Sequence, residues 1–197
     1  FYLMVLSIAV PIMIQNGITN FVSLLDNIMV GQVGTEQMSG VAIANQLVFI
    51  FNLCIFGAVA GAGILSAQFY GSGNAEGVRD TFRFKLLFGV ILSAIFAVIF
   101  LTVGEPLIQQ FIHQGEGIGD LEATRSYGKA YLEVIVIGIL PFALTQCYSG
   151  TLRETGETVI PMIAGIIAVL VNLVFNYILI FGKLGAPELG CVGAAIA

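Results

Sequence analysis

Five stretches of this chain stay apolar for longer than the roughly 18 residues that suggest a membrane-crossing helix. They run from about Tyr2 to Val30, Met38 to Phe69, Phe82 to Val103, Tyr131 to Leu152 and Val159 to Phe181, and a sixth begins near Gly190 and continues to Ala197. A membrane strand needs only about 10 residues and alternates apolar with polar side chains. These runs are twice that length and apolar all round, so they read as helices. Composition agrees: the 197 residues are 58% hydrophobic and 10% charged, with a mean hydropathy of +1.00. A soluble domain carries about 25% charged residues. The expected fold class is an all-α membrane protein, a polytopic transmembrane helix bundle.

The chain starts at Phe1 rather than Met and ends inside the apolar stretch GCVGAAIA. It therefore reads as a fragment with a truncated sixth helix. The second segment is rich in small residues (Gly57, Ala58, Ala60, Gly61, Ala62, Gly63), which let helices approach closely. The first and fourth segments contain Pro11 and Pro141. In the first, the proline is expected to bend the helix or break its opening turns. The polar stretch GEPLIQQFIHQGEGIGDLEATRSYGK is long enough for a short surface helix.

Several functions are excluded early. A net charge of -5 argues against nucleic acid as a partner. Cys54, Cys147 and Cys191 have no metal-site or disulfide spacing. The lone His113 sits among Gln110 and Gln114 without a second ligand nearby. No Ser/His/acid set, HExxH or CxxC occurs, so no enzyme is indicated. The YGSGNAEG stretch lacks the Lys-Ser/Thr ending of a phosphate loop and reads as a turn.

The loop after the second segment carries Arg79, Arg83 and Lys85, and the one after the fourth carries Arg153. The opposite loops hold Arg125, Lys129 and Lys183, diluted by acids. Basic residues alone are nearly balanced between the two sides. The Arg79 loop and the N-terminus are assigned to the cytoplasm. Segments one and five then climb outward, which puts Asp26, Asn172 and Asn176 in the outer half of the membrane at similar depth. Asn172 and Asn176 are four apart, so their amides share a helix face.

A charge in hydrocarbon is costly and normally faces a bundle interior or a watery cavity. Gln15, Thr19, Val22 and Asp26 follow helical spacing, and Asn16, Asn20, Ser23 and Asn27 form an adjacent stripe. Together they make one broad polar face. It serves either as hydrogen-bonded glue between helices or as the wall of a cavity in which Asp26 binds a cation or proton. One carboxylate and two amide oxygens suit a hard cation such as Na+; the same carboxylate can instead carry a proton. Neither is chosen by the residues. Gln46, Asn45 and Asn52 of segment two, and Thr145 and Gln146 of segment four, are candidate cavity-lining or interhelical groups. Glu133, near the outer end of segment four, is expected to face water.

Four stretches, LLDNIMVGQVG, SAQFYGSGNAEGVR, GTLRETGETVIPM and NLVFNYILIFG, occur in an order and spacing that resemble the N-terminal half of a multidrug and toxic compound extrusion (MATE) transporter. The resemblance covers nearly the whole chain. It implies a twelve-helix antiporter of two six-helix lobes around a central cavity, of which this chain would be most of the first lobe, partnered by the second. It implies export of organic, often cationic, small molecules across the cytoplasmic membrane, driven by Na+ or H+ with no other cofactor. It implies an ion site at Asp26, Asn172 and Asn176, with Na+ as the metal where one binds, and a bending role for Pro11. Gln15, Asn16, Thr19, Asn20, Gln46 and Gln146 are the candidate cavity-lining residues. Some relatives have a second Asp where this chain has Asn176. Two other readings compete: a lipid-linked oligosaccharide flippase of the same superfamily, which would want basic residues in the membrane interior, and a non-transporting membrane module.

Overall fold

The computed structural model describes residues 2–112, 120–185 and 187–197. His113, Gln114 and Glu116 lie outside them. Among the described residues the chain forms α1 (Tyr2–Gly31), α2 (Thr35–Gly71), α3 (Ala75–Ile112), α4 (Leu121–Glu154) and α5 (Val159–Phe181). A short turn of 3-10 helix (Lys183–Gly185) then leads to α6 (Cys191–Ile196). The first five are long and apolar enough to cross a membrane. Their outer faces carry exposed Leu3, Phe56 and Ile137, as lipid contact requires. This is a polytopic all-α membrane protein.

Several boundaries differ from the sequence reading. No separate surface helix forms among the described residues of the polar stretch after Val103. Glu105–Ile112 instead prolongs α3 through Pro106, and Leu121–Lys129 opens α4. Asp120 caps that opening, its side chain accepting from the Glu122 and Ala123 amides at 3.0 and 3.1 Å. Hydropathy marks where lipid ends, whereas a helix stops only where capping and turn residues stop it. The loop before α3 is likewise short. Only 72–74 break the helices, and the Asn74 side chain accepts from the Gly77 amide at 3.0 Å. Arg79, Arg83 and Lys85 are therefore helical. Contrary to a break at Pro11, α1 passes through that residue as one helix.

Helices α2, α3 and α4 pack as a tight group. Phe51, Ile55, Ile108, Leu132, Ile139 and Ala143 form its core, with Phe51 edge-on to Phe96 at 5.3 Å between ring centroids. In lipid the gain comes from van der Waals packing rather than from escape from water. Close approach is therefore decisive, and α2 crosses α4 at a glycine pair. A Cβ on Gly40 would sit 2.7 Å from the Thr124 carbonyl oxygen and 2.8 Å from the Gly128 nitrogen. Helix α1 packs mainly on α5, and α6 bridges α4 and α5. Contacts between the α1–α5 pair and the three-helix group are sparse.

Charge frames the pair α3 and α4. No charged residue occurs from Leu86 to Gly104 on α3 or from Val134 to Leu152 on α4. Each stretch of about 20 residues spans about 30 Å, the thickness of a hydrocarbon core. At one border Lys85 pairs with Glu154. At the other Glu105 pairs with Arg125 and, at 2.8 Å, with Lys129. Lys85 was expected in a basic loop. It is instead buried, its charge held by Glu154 and its ammonium also donating to the Thr151 hydroxyl at 3.3 Å. A buried cation is tolerated only when paired and hydrogen-bonded in this way.

Candidate functional site

Asp26 lies in the last third of α1, and Asn172 and Asn176 lie on one face of α5, which packs along α1. The structure brings all three together. The Asn176 amide nitrogen donates to Asp26 Oδ1 at 2.7 Å and to Asn172 Oδ1 at 3.2 Å. Asn176 is 1% exposed, Asp26 and Asn172 are half-buried. The amide's oxygen, Asn176 Oδ1, is buried without a hydrogen-bond partner among the described residues. A buried acceptor left unmatched costs about 1–3 kcal/mol. It is therefore the atom at which a donor or a cation gains most.

Asp26 and Asn176 open onto a cavity of about 220 Å³, lined also by Ser23, Asn27, Asn45 and Tyr131. Asn172 does not line it; its side chain accepts from the Asn176 amide that does. The buried Tyr131 donates its hydroxyl to Asn45 Oδ1 at 3.3 Å, joining α4 to α2 across the cavity wall. Tyr131 was missed by the sequence reading. It stands where an apolar segment begins, a place at which tyrosine ordinarily marks the membrane interface, and no spacing ties it to Asp26. Asn45 did carry a signal, as a polar residue inside an apolar segment.

The broad polar face expected on α1 divides into two. Val22 and Asp26 turn inward, and Gln15 accepts a hydrogen bond from Arg153 at 2.7 Å while packing on Gly165 of α5. Gln15 is thus a strut between α1 and the end of α4, not an open lining residue. Asn16, Thr19, Asn20, Ser23 and Asn27 stay exposed. Asn20, Ser23 and Asn27 line a shallow depression of about 540 Å³ with Leu24 and Met38. Thr19 bonds back to the Gln15 carbonyl at 2.9 Å. Gln46 is exposed on α2 and Gln146 half-buried on α4; neither joins the Asp26 cluster. Glu133 is exposed.

Membrane-crossing helices that shelter a carboxylate beside the amides of a second helix form the kind of buried polar site that marks a functional position within a membrane. The chain belongs to the MatE family, whose model matches residues 11–178. It is 32% identical over 193 residues to a probable multidrug resistance protein NorM of Thermotoga maritima, covering 98% of this chain and 40% of that protein. Two solved structures share the fold. A crystal structure of MATE in complex with MaD3S aligns with a TM-score of 0.86 at 23% identity, over 98% of this chain and 41% of that one. An outward-facing multidrug resistance MATE family transporter of the MOP superfamily aligns with a TM-score of 0.82 at 22% identity, over 98% and 40%. The chain thus spans about two fifths of the length of these proteins.

Proposed function

We propose that this chain forms the first lobe of a cation-coupled antiporter. It exports organic, often cationic, compounds across the cytoplasmic membrane, with a second lobe completing the central cavity. Coupling resides at Asp26, Asn172 and Asn176. The observation that carries this reading is the buried, unmatched Asn176 Oδ1 beside the Asp26 carboxylate at the edge of a small cavity. Two oxygens of this kind suit Na+, and Asp26 alone suffices for a proton. Binding either ion competes with the Asn176–Asp26 hydrogen bond. Because that bond ties α1 to α5, the ion favours one arrangement of the two helices over another, which is the differential interaction that coupling requires. The exposed Asn16, Asn20 and Asn27 of α1 supply a polar wall for the exported compound. The buried cation Lys85 is already neutralised by Glu154, which supports an exporter over a flippase needing free basic groups for a pyrophosphate.

The test is efflux from vesicles containing the full-length protein, driven by a Na+ gradient alone or a pH gradient alone. Asp26→Asn is expected to abolish the driven component while the protein still folds. Undiminished efflux in that variant would remove Asp26 from the coupling role.

A further inference from the structure

The second charged border of the α3–α4 pair encloses a cavity of about 380 Å³ that the ion site does not use. Glu105, Arg125, Lys129 and Glu133 line it. Its size falls within the range of small-molecule sites, about 300–1,000 Å³. Its level is fixed by sequence as well as geometry. Glu105 is the first charge after the uncharged run of α3, and Glu133 is the last before the uncharged run of α4. The cavity therefore lies where hydrocarbon gives way to headgroups, whichever side of the membrane that is.

We propose that this cavity binds the headgroup of a zwitterionic phospholipid bearing a primary ammonium, of the phosphatidylethanolamine type. The four side chains carry two positive and two negative charges, so the wall is neutral but sharply divided by sign. Arg125 and Lys129 both reach Glu105, yet an arginine has five N–H donors and a lysine three. Enough remain to take a phosphate. Glu133 is exposed and forms no ion pair among the described residues. It lies within electrostatic reach of Lys129, one turn back on α4, and its carboxylate keeps acceptor capacity for an ammonium. One helical turn toward the hydrocarbon from Glu105 stands Leu101, and one turn from Glu133 stands Ile137, 63% and 77% exposed. These give the acyl chains an apolar seat directly beneath the charged one. A primary ammonium donates hydrogen bonds to Glu133 and a quaternary one does not. The site therefore prefers ethanolamine over choline heads, and its acids disfavour an anionic head with no cation.

The test uses the full-length protein purified in detergent with defined lipids, with retained lipid counted by native mass spectrometry. Phosphatidylethanolamine is expected to be retained about fivefold over phosphatidylcholine and phosphatidylglycerol, the scale of a half-exposed charge contact. Glu133→Gln and Lys129→Gln, each with unchanged melting, are expected to erase that preference. The wild-type comparison of three headgroups needs no variant. Equal retention of the three lipids, a preference for phosphatidylglycerol, or an undiminished preference in both variants overturns the proposal.

Discussion

Asn176 and Asp26 lie 150 residues apart and share a 2.7 Å hydrogen bond that joins α5 to α1. Among the described residues only the nitrogen of that amide is hydrogen-bonded; both of its donations go to oxygens, and its own oxygen has no hydrogen-bond partner. An amide oriented in this way holds a carboxylate in place and still has an acceptor to offer.

Asn176→Ala removes both the hydrogen bond and the spare oxygen. That hydrogen bond competes with the ion, so the affinity lost is that of the spare acceptor; a contact of that kind to a charged group contributes about 1.5–3 kcal/mol, roughly a factor of ten or more in affinity. The half-saturating concentration of the driving ion in an efflux assay is expected to rise by about tenfold. An unchanged ion dependence would assign Asn176 to packing alone.

Lys85→Met strands the Glu154 carboxylate at a largely buried position. Breaking one member of a buried pair costs about 3–5 kcal/mol, while replacing both with apolar residues is often neutral. The single variant is expected to melt well below the wild type in detergent. Adding Glu154→Leu is expected to recover most of the loss. The comparison is a double-mutant cycle read from melting temperatures.

Gly40→Ala tests the crossing of α2 and α4. A methyl there meets backbone atoms, which have no rotamer to yield, so the helices must separate at a cost of about 1–3 kcal/mol. Gly57→Ala on the same helix meets nothing within 4 Å and is expected to leave the melting temperature unchanged.

Gln15→Leu removes the acceptor of Arg153, whose Nε is already buried without a partner. Contacts between α1 and the α2–α4 group are few, so the effect is expected to be local. Amide exchange should quicken around residues 11–20 and stay unchanged in α2–α4. Uniform acceleration would mean that the strut supports the whole fold.

Ser72→Cys reports on topology. Ser72 is exposed in the turn between α2 and α3. In a background with exposed Cys54 replaced, and with Cys147 and Cys191 buried, an impermeant thiol reagent added to intact cells is expected to leave it unlabelled. Ready labelling would invert the assignment of the N-terminus to the cytoplasm.

Much of this was legible in residue order. The bounds of α5 follow from an apolar run flanked by turn residues, and the four-residue spacing of Asn172 and Asn176 puts both amides on one face. Their meeting with Asp26 was inferred from shared depth. Other features required coordinates. Tyr131 reaches the cavity through the packing of α4 on α2, where its hydroxyl meets Asn45, a meeting that hydropathy ignores. Lys85 reads as a loop cation because charge is the usual sign of water, and its partner Glu154 lies 69 residues away with no pattern linking them. Gln15 belongs by periodicity to the Asp26 stripe, yet Arg153 claims it. Sequence periodicity fixes the face a side chain occupies, and only tertiary contact fixes what waits there.

The two ion-paired borders on α3 and α4 amount to a gauge cut to one bilayer thickness. Because each border is bonded across both helices, the pair cannot slide to shorten its greasy midsection. A thinner or thicker membrane must be met by leaning the whole unit or by deforming nearby lipid, at fractions of a kcal/mol per Å. Membrane thickness thereby becomes a mechanical load on the same unit that α1 and α5 touch only sparsely.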